Sequence, residues 1–180
     1  RSPSWSPDGS TIAFGGGNAS QEIGVRLPLM YADGSYVRQV SDVRGVDWAL
    51  LHTDWSRDGT KIAGTASDTD NSSDWDIWVI NADGSGATNV GSDAGGDELF
   101  PRWAPDRDAL AWWHDGVVLL EGGADPIDLP GGIYGPVWSP VGKLIVTGTD
   151  AGITVIDLDG TVQTTVEGPS GQIAWQRLYE

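Results

Sequence analysis

Several residue types are scarce in this 180-residue chain, and each scarcity excludes a class of protein. The chain has no cysteine, which excludes disulfides, thiolate metal sites and cysteine nucleophiles. No apolar run approaches the roughly 18 residues that a membrane-spanning helix needs, so we expect no membrane insertion. Lysine occurs twice, at Lys61 and Lys143, and the net charge is −16. Because nucleic-acid binding requires clustered basic residues, we expect no nucleic-acid partner.

Residues that could carry catalysis are also few. His52 and His114 are the two histidines, the side-chain type best suited to general-base catalysis near neutral pH. No G-x-S-x-G elbow, H-E-x-x-H zinc motif or G-x-x-x-x-G-K-[ST] phosphate loop occurs. The 26 acidic residues are too many for an acid–base pair to be chosen without geometry. We therefore predict no catalytic residue, and whether the chain is part of an enzyme stays open.

The most informative pattern is an internal repeat that begins with a tryptophan and a tight turn. Its copies WSPDG, WSRDG, WAPDR and WSPVG begin at Trp5, Trp55, Trp103 and Trp138. An aliphatic residue stands seven positions after each tryptophan, and a small apolar residue stands eight positions after it. A glycine turn follows in each copy, at Gly34, Gly84, Gly123 and Gly160. Agreement at several positions per copy identifies a true repeat.

Each copy predicts four short antiparallel strands. In the turn after the tryptophan, proline presets φ and glycine supplies a positive φ. The segment DIWVINADG alternates its side chains and ends in Asp-Gly, the strongest local signal for a hairpin. No stretch has convincing helical periodicity. Repeated units of about 40 residues and four strands are typical of β-propeller blades, so the predicted fold class is all-β, a propeller of four-stranded antiparallel blades.

The segments PSWSPDGSTIAF and DIWVINADGSGATNV resemble the WD40-like (PD40) repeat of the TolB-like β-propellers. Copies three and four depart from this pattern, because Arg107 replaces the turn glycine, Val141 the turn aspartate and EGGA the third Asp-Gly. The resemblance implies an extracytoplasmic binding platform in bacteria. Similar blades also accompany peptidase and polysaccharide-lyase chemistry, and the fold alone does not choose among these functions.

We expect one propeller domain over residues 1–180, or the C-terminal part of one. The predicted blades are 3–46, 47–97, 98–132 and 133–168, followed by an orphan first strand at 170–180 that carries Trp175. An orphan strand would leave an unpaired sheet edge, which proteins avoid. We therefore expect the rest of the propeller, six to eight blades in all, to come from upstream sequence or from another chain.

The tryptophans fall into two groups. The repeated ones are predicted to fill the space between adjacent blades, with the indole N–H hydrogen-bonded. Trp48, Trp75 and one of the pair Trp112 and Trp113 have no equivalent in other blades. Each of these could be a ligand platform or an interface anchor, or could simply pack locally.

Six residues are candidates for ligand binding at the mouth of the propeller channel. They lie at or just before the first, innermost strand of blades two to four: Asp47, Trp48, His52, Glu98, Phe100 and Tyr134. The alternative is that they pack the loops at the rim.

The loop SDTDNSSDWD concentrates oxygen ligands. Ca²⁺ takes six to eight of these, and the candidate ligands are Asp68, Asp70, Asn71 and Asp74. Their spacing is not that of an EF-hand, and a solvated hairpin loop in an acidic protein would look the same. Calcium therefore stays one of two interpretations, and no other cofactor is predicted.

Taken together, the sequence favours a non-catalytic propeller that binds a protein or a small polar ligand at the channel mouth and on the long loops. A protein partner and an extracytoplasmic location are expected, the latter from the resemblance and the acidity. One alternative is the propeller portion of a hydrolase or lyase whose catalytic residues lie outside this chain. The other is a subunit of a larger cell-envelope or surface assembly.

Overall fold

The structure, a computed structural model, describes residues 3–15, 27–35, 37–40, 50–67, 74–91, 95–121, 127–129, 134–149 and 152–168. All regular secondary structure in these residues is β-strand, in four antiparallel sheets of four strands each. Within each sheet, every strand pairs with the next along the chain, as in a propeller blade. The described part contains no helix long and apolar enough to cross a membrane. The predicted fold class is confirmed, whereas the predicted strand at 170–180, with Trp175, lies outside the described residues.

The strands of the first two sheets are β1 (Ser4–Trp5), β2 (Thr11–Ala13), β3 (Leu27–Tyr31), β4 (Val37–Val40), β5 (Leu51–Trp55), β6 (Lys61–Ser67), β7 (Trp75–Asn81) and β8 (Thr88–Asn89). Those of the third and fourth sheets are β9 (Leu99–Trp103), β10 (Ala109–Trp113), β11 (Val117–Glu121), β12 (Ile127–Leu129), β13 (Val137–Trp138), β14 (Leu144–Thr149), β15 (Gly152–Asp157) and β16 (Val162–Glu167). The fourth strand of the last sheet, β16, is exposed along its whole length, as the outer strand of a blade should be.

Strand pairing follows the seven-residue spacing seen in the sequence. The tryptophan of a copy pairs with the aliphatic residue seven positions later: Trp5 with Ile12, Trp55 with Ile62 and Trp138 with Ile145. The third sheet differs from the others in the register between its second and third strands, β10 and β11. There Leu110 pairs with Leu120, one residue beyond the Leu119 that the repeat pattern indicates. A tight turn joins Trp113 to Val117, and turn length sets the register of a hairpin.

The chain divides into two compact units, Arg1–Pro101 and Arg102–Glu180. Each unit has its own apolar core. The core of the first unit contains Ala13, Leu27, Leu29, Val40, Leu50, Ile62, Ala66 and Ile80. The core of the second contains Ala104, Ala109, Ala111, Val117, Leu119, Trp138, Ile145 and Ile156. Both cores draw on two sheets, so each of these sheets is stabilised by burial against its neighbour.

The repeated tryptophan links neighbouring sheets within each unit. The indole N–H of Trp55 donates a hydrogen bond to the carbonyl of Ser4 at 3.2 Å, and that of Trp138 donates to the carbonyl of Arg102 at 2.9 Å. In both cases the acceptor directly precedes the tryptophan of the previous sheet. The predicted inter-blade role is thus confirmed for these two residues. Trp5, which opens the first sheet, is 57% exposed, whereas Trp138 is 7% exposed.

The turns after Trp5 and Trp55 are closed by an aspartate. Asp8 accepts hydrogen bonds from the Ser6 hydroxyl at 2.6 Å and from the Ser10 amide at 3.0 Å. These bonds favour the ionised carboxylate and lower the pKa of Asp8 to about 2. In the second sheet, the amide and hydroxyl of Thr60 and the hydroxyl of Ser56 likewise lower the pKa of Asp58 to about 2.

The corresponding turns of the second unit are built differently. Ala104 stands where the first two turns have serine, so Asp106 lacks that hydroxyl partner. Asp106 instead forms an ion pair with Arg107, with an Nη1–Oδ2 distance of 2.8 Å. The Arg107 guanidinium also donates to the carbonyl of Gly142 at 2.6 Å and lies 5.7 Å from the ring centroid of Trp138. The residue that breaks the repeat pattern therefore joins the third sheet to the fourth.

Candidate binding site at the first strands

The strand β5 contains a bulge at its start. Leu51 pairs with Thr65 and Asp54 with Ala63, so His52 and Thr53 together face Gly64. His52 has a φ of 50°, a left-handed backbone conformation that residues other than glycine seldom adopt. A β-bulge bends its strand and re-aims the side chains around it. The bulge therefore determines where the His52 ring lies.

Packing beside the bulge explains why it can form. Leu50 is buried, and its side chain lies so close to Gly64 that a Cβ at position 64 would stand 2.3 Å from Leu50 Cγ. Thr53, which directly follows His52, is also buried, and its hydroxyl lies 3.1 Å from that of Ser4 in the first sheet. The residues flanking His52 are thus fixed by tertiary contacts, and these contacts hold the unfavourable backbone conformation in place.

Phe100 occupies the same position in the next repeat, three residues before its tryptophan, and it also has a left-handed backbone, with a φ of 59°. The ring centroids of His52 and Phe100 are 4.5 Å apart and the rings are inclined by 52°. This distance and inclination are typical of attractive aromatic contacts. Both rings are half-buried, so they form a small aromatic surface at the start of β5 and β9. We call these two residues the bulge pair.

Glu98 lies two residues before Phe100, and its side chain is almost fully buried, at 1% exposure. Its carboxylate accepts a hydrogen bond from the amide of Ile77 at 3.3 Å and lies against Gly91, where a side chain would collide with it. The Glu98 amide in turn donates to the carbonyl of Trp75 at 2.5 Å. These contacts tie the segment before β9 to β7. Glu98 therefore anchors the chain two residues before Phe100.

Tyr134 belongs to the second unit, where it precedes β13. Its ring lies against Gly148, and its carbonyl accepts a hydrogen bond from the Thr147 hydroxyl at 2.7 Å. These contacts attach the residue to β14 of its own sheet. Tyr134 is half-buried, so part of its ring is accessible.

Of the other predicted site residues, some lie outside the described part of the chain and some lie within it. Asp47 and Trp48 lie outside the described residues, as do Asp68, Asp70 and Asn71 of the acidic loop. Asp74 is half-buried directly before β7. Within the described ranges no three metal-ligating side chains cluster, and the calcium interpretation stays a prediction. Trp112 is fully buried, so local packing is the correct interpretation for that residue.

At the first strands, the structure adds a feature that sequence reasoning missed, the left-handed backbone of the bulge pair. The spacing of His52 and Phe100 from their tryptophans was visible in the sequence. The backbone conformation was not, because neither residue is a glycine or an asparagine, the usual sequence signals for it.

Comparison with known proteins gives a match at the level of fold. No family model matches the chain, and no curated protein matches it. Solved structures do match: TolB from Acinetobacter baumannii superposes with a TM-score of 0.69 at 18% identity, over 89% of this chain and 41% of that chain. The chain has the fold of the TolB-like β-propellers.

Other TolB-like propeller folds give similar matches. The dihydro-heme d1 dehydrogenase NirN in complex with DHE superposes with a TM-score of 0.64 at 18% identity, over 93% of this chain and 36% of that chain. An oligogalacturonate lyase from Vibrio parahaemolyticus has a TM-score of 0.59 at 17% identity, over 87% of this chain and 48% of that chain. The chain spans less than half the length of each of these proteins. At such identities the likeness shows the fold alone.

Proposed function

We propose that this TolB-like propeller is a non-catalytic binding protein whose site is centred on the bulge pair, His52 and Phe100. The observation that carries the proposal is that two successive repeats place a non-glycine residue in the left-handed region at the same position. Each such residue costs about 1–3 kcal/mol, and glycine would remove that cost. A structure that retains this cost twice at equivalent positions uses it to hold two aromatic rings in contact.

The chemistry of the bulge pair suggests what it binds. A phenyl ring and an imidazole in contact offer an apolar face together with a polar nitrogen. Such a surface suits a protein segment with an apolar side chain beside a backbone polar group, or a small polar ligand. With a net charge of −16, the chain would attract cationic partners over a distance. We therefore propose a protein partner with a basic character.

We also propose an extracytoplasmic setting, which rests on the resemblance of the repeats to those of TolB-like propellers. The roles of Asp47, Trp48 and Tyr134 in the same binding surface, and calcium binding by the acidic loop, remain part of the proposal. Titration with Ca²⁺ in a calorimeter tests the loop, because a solvated loop would give neither heat nor a rise in melting temperature.

The two histidines provide the test of the binding site. A phage-displayed peptide library selected on the intact chain supplies ligands, and each is then titrated while the imidazole signals are followed by NMR. We expect saturable movement of the His52 signal, whereas His114 in the second unit serves as an internal control. The His114→Gln variant assigns the two signals.

Variants at the bulge pair complete the test. We expect Phe100→Ala to weaken the selected peptides about tenfold or more, as loss of a central aromatic contact does. Val166→Ala removes exposed apolar surface from β16, outside the bulge pair, and should leave the affinity unchanged. Peptides that move the His114 signal equally, or that bind Phe100→Ala with undiminished affinity, would contradict the proposal.

A further inference from the structure

A second concave site lies in the first unit, between the first and second sheets and apart from the bulge pair. Its volume is about 510 Å³, within the range of small-molecule pockets. It is lined by residues from both sheets: Thr11, Leu29, Met30, Tyr31, Arg38, Trp55 and Ala82. We call it the inter-blade pocket.

The walls of the inter-blade pocket are mainly apolar. Leu29 is buried at 2% exposure, Trp55 is half-buried and Tyr31 is exposed, so the indole and the phenol ring retain accessible surface. The Trp55 indole N–H is already engaged with the carbonyl of Ser4, which fixes the orientation of the ring. In β3, Leu29 and Tyr31 share the face that packs against the second sheet, whereas Met30 pairs with Ile12 on the opposite face. The rings of Trp55 and Tyr31 therefore form the surface for a planar apolar group.

The charge of the inter-blade pocket is unusual for this protein. Its lining contains one cation, Arg38, and no carboxylate, although the chain has 26 acidic and 10 basic residues. One guanidinium nitrogen of Arg38 donates to the carbonyl of Ala82 at 3.1 Å, which holds the side chain across the two sheets. The neighbouring Asp83 carboxylate accepts hydrogen bonds from the hydroxyl and amide of Ser85 at 2.7 Å and 2.9 Å. These bonds are the main cause of its lowered pKa, and the positive charge of Arg38 lowers that pKa further.

We propose that the inter-blade pocket binds an aromatic carboxylate, with the ring against Trp55 and Tyr31 and the carboxylate on the guanidinium of Arg38. A guanidinium recognises a carboxylate by charge-assisted hydrogen bonds, and the Arg38 groups beyond the one bound to Ala82 supply the donors. The same chemistry occurs in a free aromatic acid and at the C-terminus of a peptide that ends in phenylalanine. This site is independent of the bulge pair, so each can be tested without the other.

The test uses Tyr31, an exposed residue of the pocket wall. With ¹³C-labelled tyrosine rings, the Tyr31→Phe variant identifies the Tyr31 signal among those of the four tyrosines of the chain. The probes are N-acetyl-phenylalanine and its neutral carboxamide, which differ only in the charged group. We expect saturable movement of the Tyr31 signal by both, with the acid bound about tenfold more tightly, the size of one partly exposed charge-assisted hydrogen bond.

Matched arginine variants identify the source of that preference. Arg38→Gln should reduce the acid to the affinity of the amide, whereas Arg57→Gln, an equal charge change in an exposed turn, should preserve the tenfold preference. The tetrapeptide acetyl-Gly-Ser-Gly-Phe separates the two sources of the ligand, since a pocket for peptide ends binds it as tightly as N-acetyl-phenylalanine. Absence of saturation, equal affinity for acid and amide, or equal losses in both arginine variants would overturn the proposal.

Discussion

In each unit, the turns that follow the repeated tryptophans bring two sheets into contact. The chemistry of this contact differs between the two units. In the first unit, the turn aspartates accept hydrogen bonds from serine and threonine residues of the same turn. The two turns meet through apolar contact. A Cβ at Gly59 would stand 3.3 Å from Cγ of Pro7 in the previous turn. In the second unit the turns meet through polar contacts, since the Arg107 guanidinium is ion-paired with Asp106 of its own turn and donates to the carbonyl of Gly142 in the next sheet. One repeat geometry can therefore be stabilised by self-contained turns or by an arginine that reaches across to the next sheet.

The largest expected effect comes from adding one methyl group to the turn glycines. Gly9, Gly59 and Gly142 have nearly equal φ values of 70°, 72° and 68°, so alanine pays a similar left-handed strain of about 1 kcal/mol at each. Their surroundings differ, because a Cβ at Gly9 meets nothing within 4 Å, whereas at Gly142 it would lie 1.9 Å from Oδ1 of Asp106.

We therefore expect losses in the free energy of unfolding to rise from Gly9→Ala through Gly59→Ala to Gly142→Ala, the last reaching about 2–3 kcal/mol as the ion pair is displaced. Chemical denaturation of the three variants measures the series. Equal losses at all three positions would show that the turns of the two units do not differ in packing.

A smaller effect is expected from Arg107→Gln, which removes the ion pair and the guanidinium contact with Trp138. The side chain of Arg107 is 26% exposed, so solvent weakens its electrostatic contribution. We expect a loss of about 1 kcal/mol in the free energy of unfolding, decreasing as salt is added. Arg57→Gln, in the turn after Trp55, is the matched control and should change the stability by less than about 0.5 kcal/mol. A loss at Arg107 that is independent of salt would assign it to packing and not to charge.

The smallest effect is the pH dependence of the self-contained turns. Because folding lowers the pKa of Asp58 from 3.8 to about 2, its contribution to stability is complete above pH 4 and is lost as the pH falls towards 2. We expect Asp58→Asn to lower the melting temperature by a few degrees at most near neutral pH and to converge with the unsubstituted chain near pH 2. Asp159→Asn is the control, since that carboxylate accepts no hydrogen bond within the described part of the chain. Parallel pH curves for the Asp58 variant and the unsubstituted chain would contradict this assignment.

Much of the fold could be predicted from the sequence because the repeat reports on strand pairing directly. The seven-residue spacing from Trp55 to Ile62 is the register of the hairpin between them, so counting residues was enough. Counting failed between β10 and β11, where the length of one turn shifts the register by a residue. The local turn overrides the repeat there because the type and length of a hairpin turn determine which residues pair.

The candidate site was predictable in position but not in conformation. The spacing placed His52 and Phe100 at the start of their strands, but the bulge depends on Leu50 reaching across to Gly64, a contact that no local pattern encodes. The inter-blade pocket was not predicted at all. Its cation, Arg38, comes from the fourth strand of one sheet and its indole, Trp55, from the first strand of the next, and only folding brings them together.

The indole hydrogen bonds also bear on the cooperativity of folding. Each described bond joins the tryptophan of one sheet to a backbone carbonyl of the sheet before it. Neither sheet can complete this bond alone, so folding of one sheet stabilises its neighbour. Neighbouring sheets are therefore the cooperative unit, as in other repeat proteins.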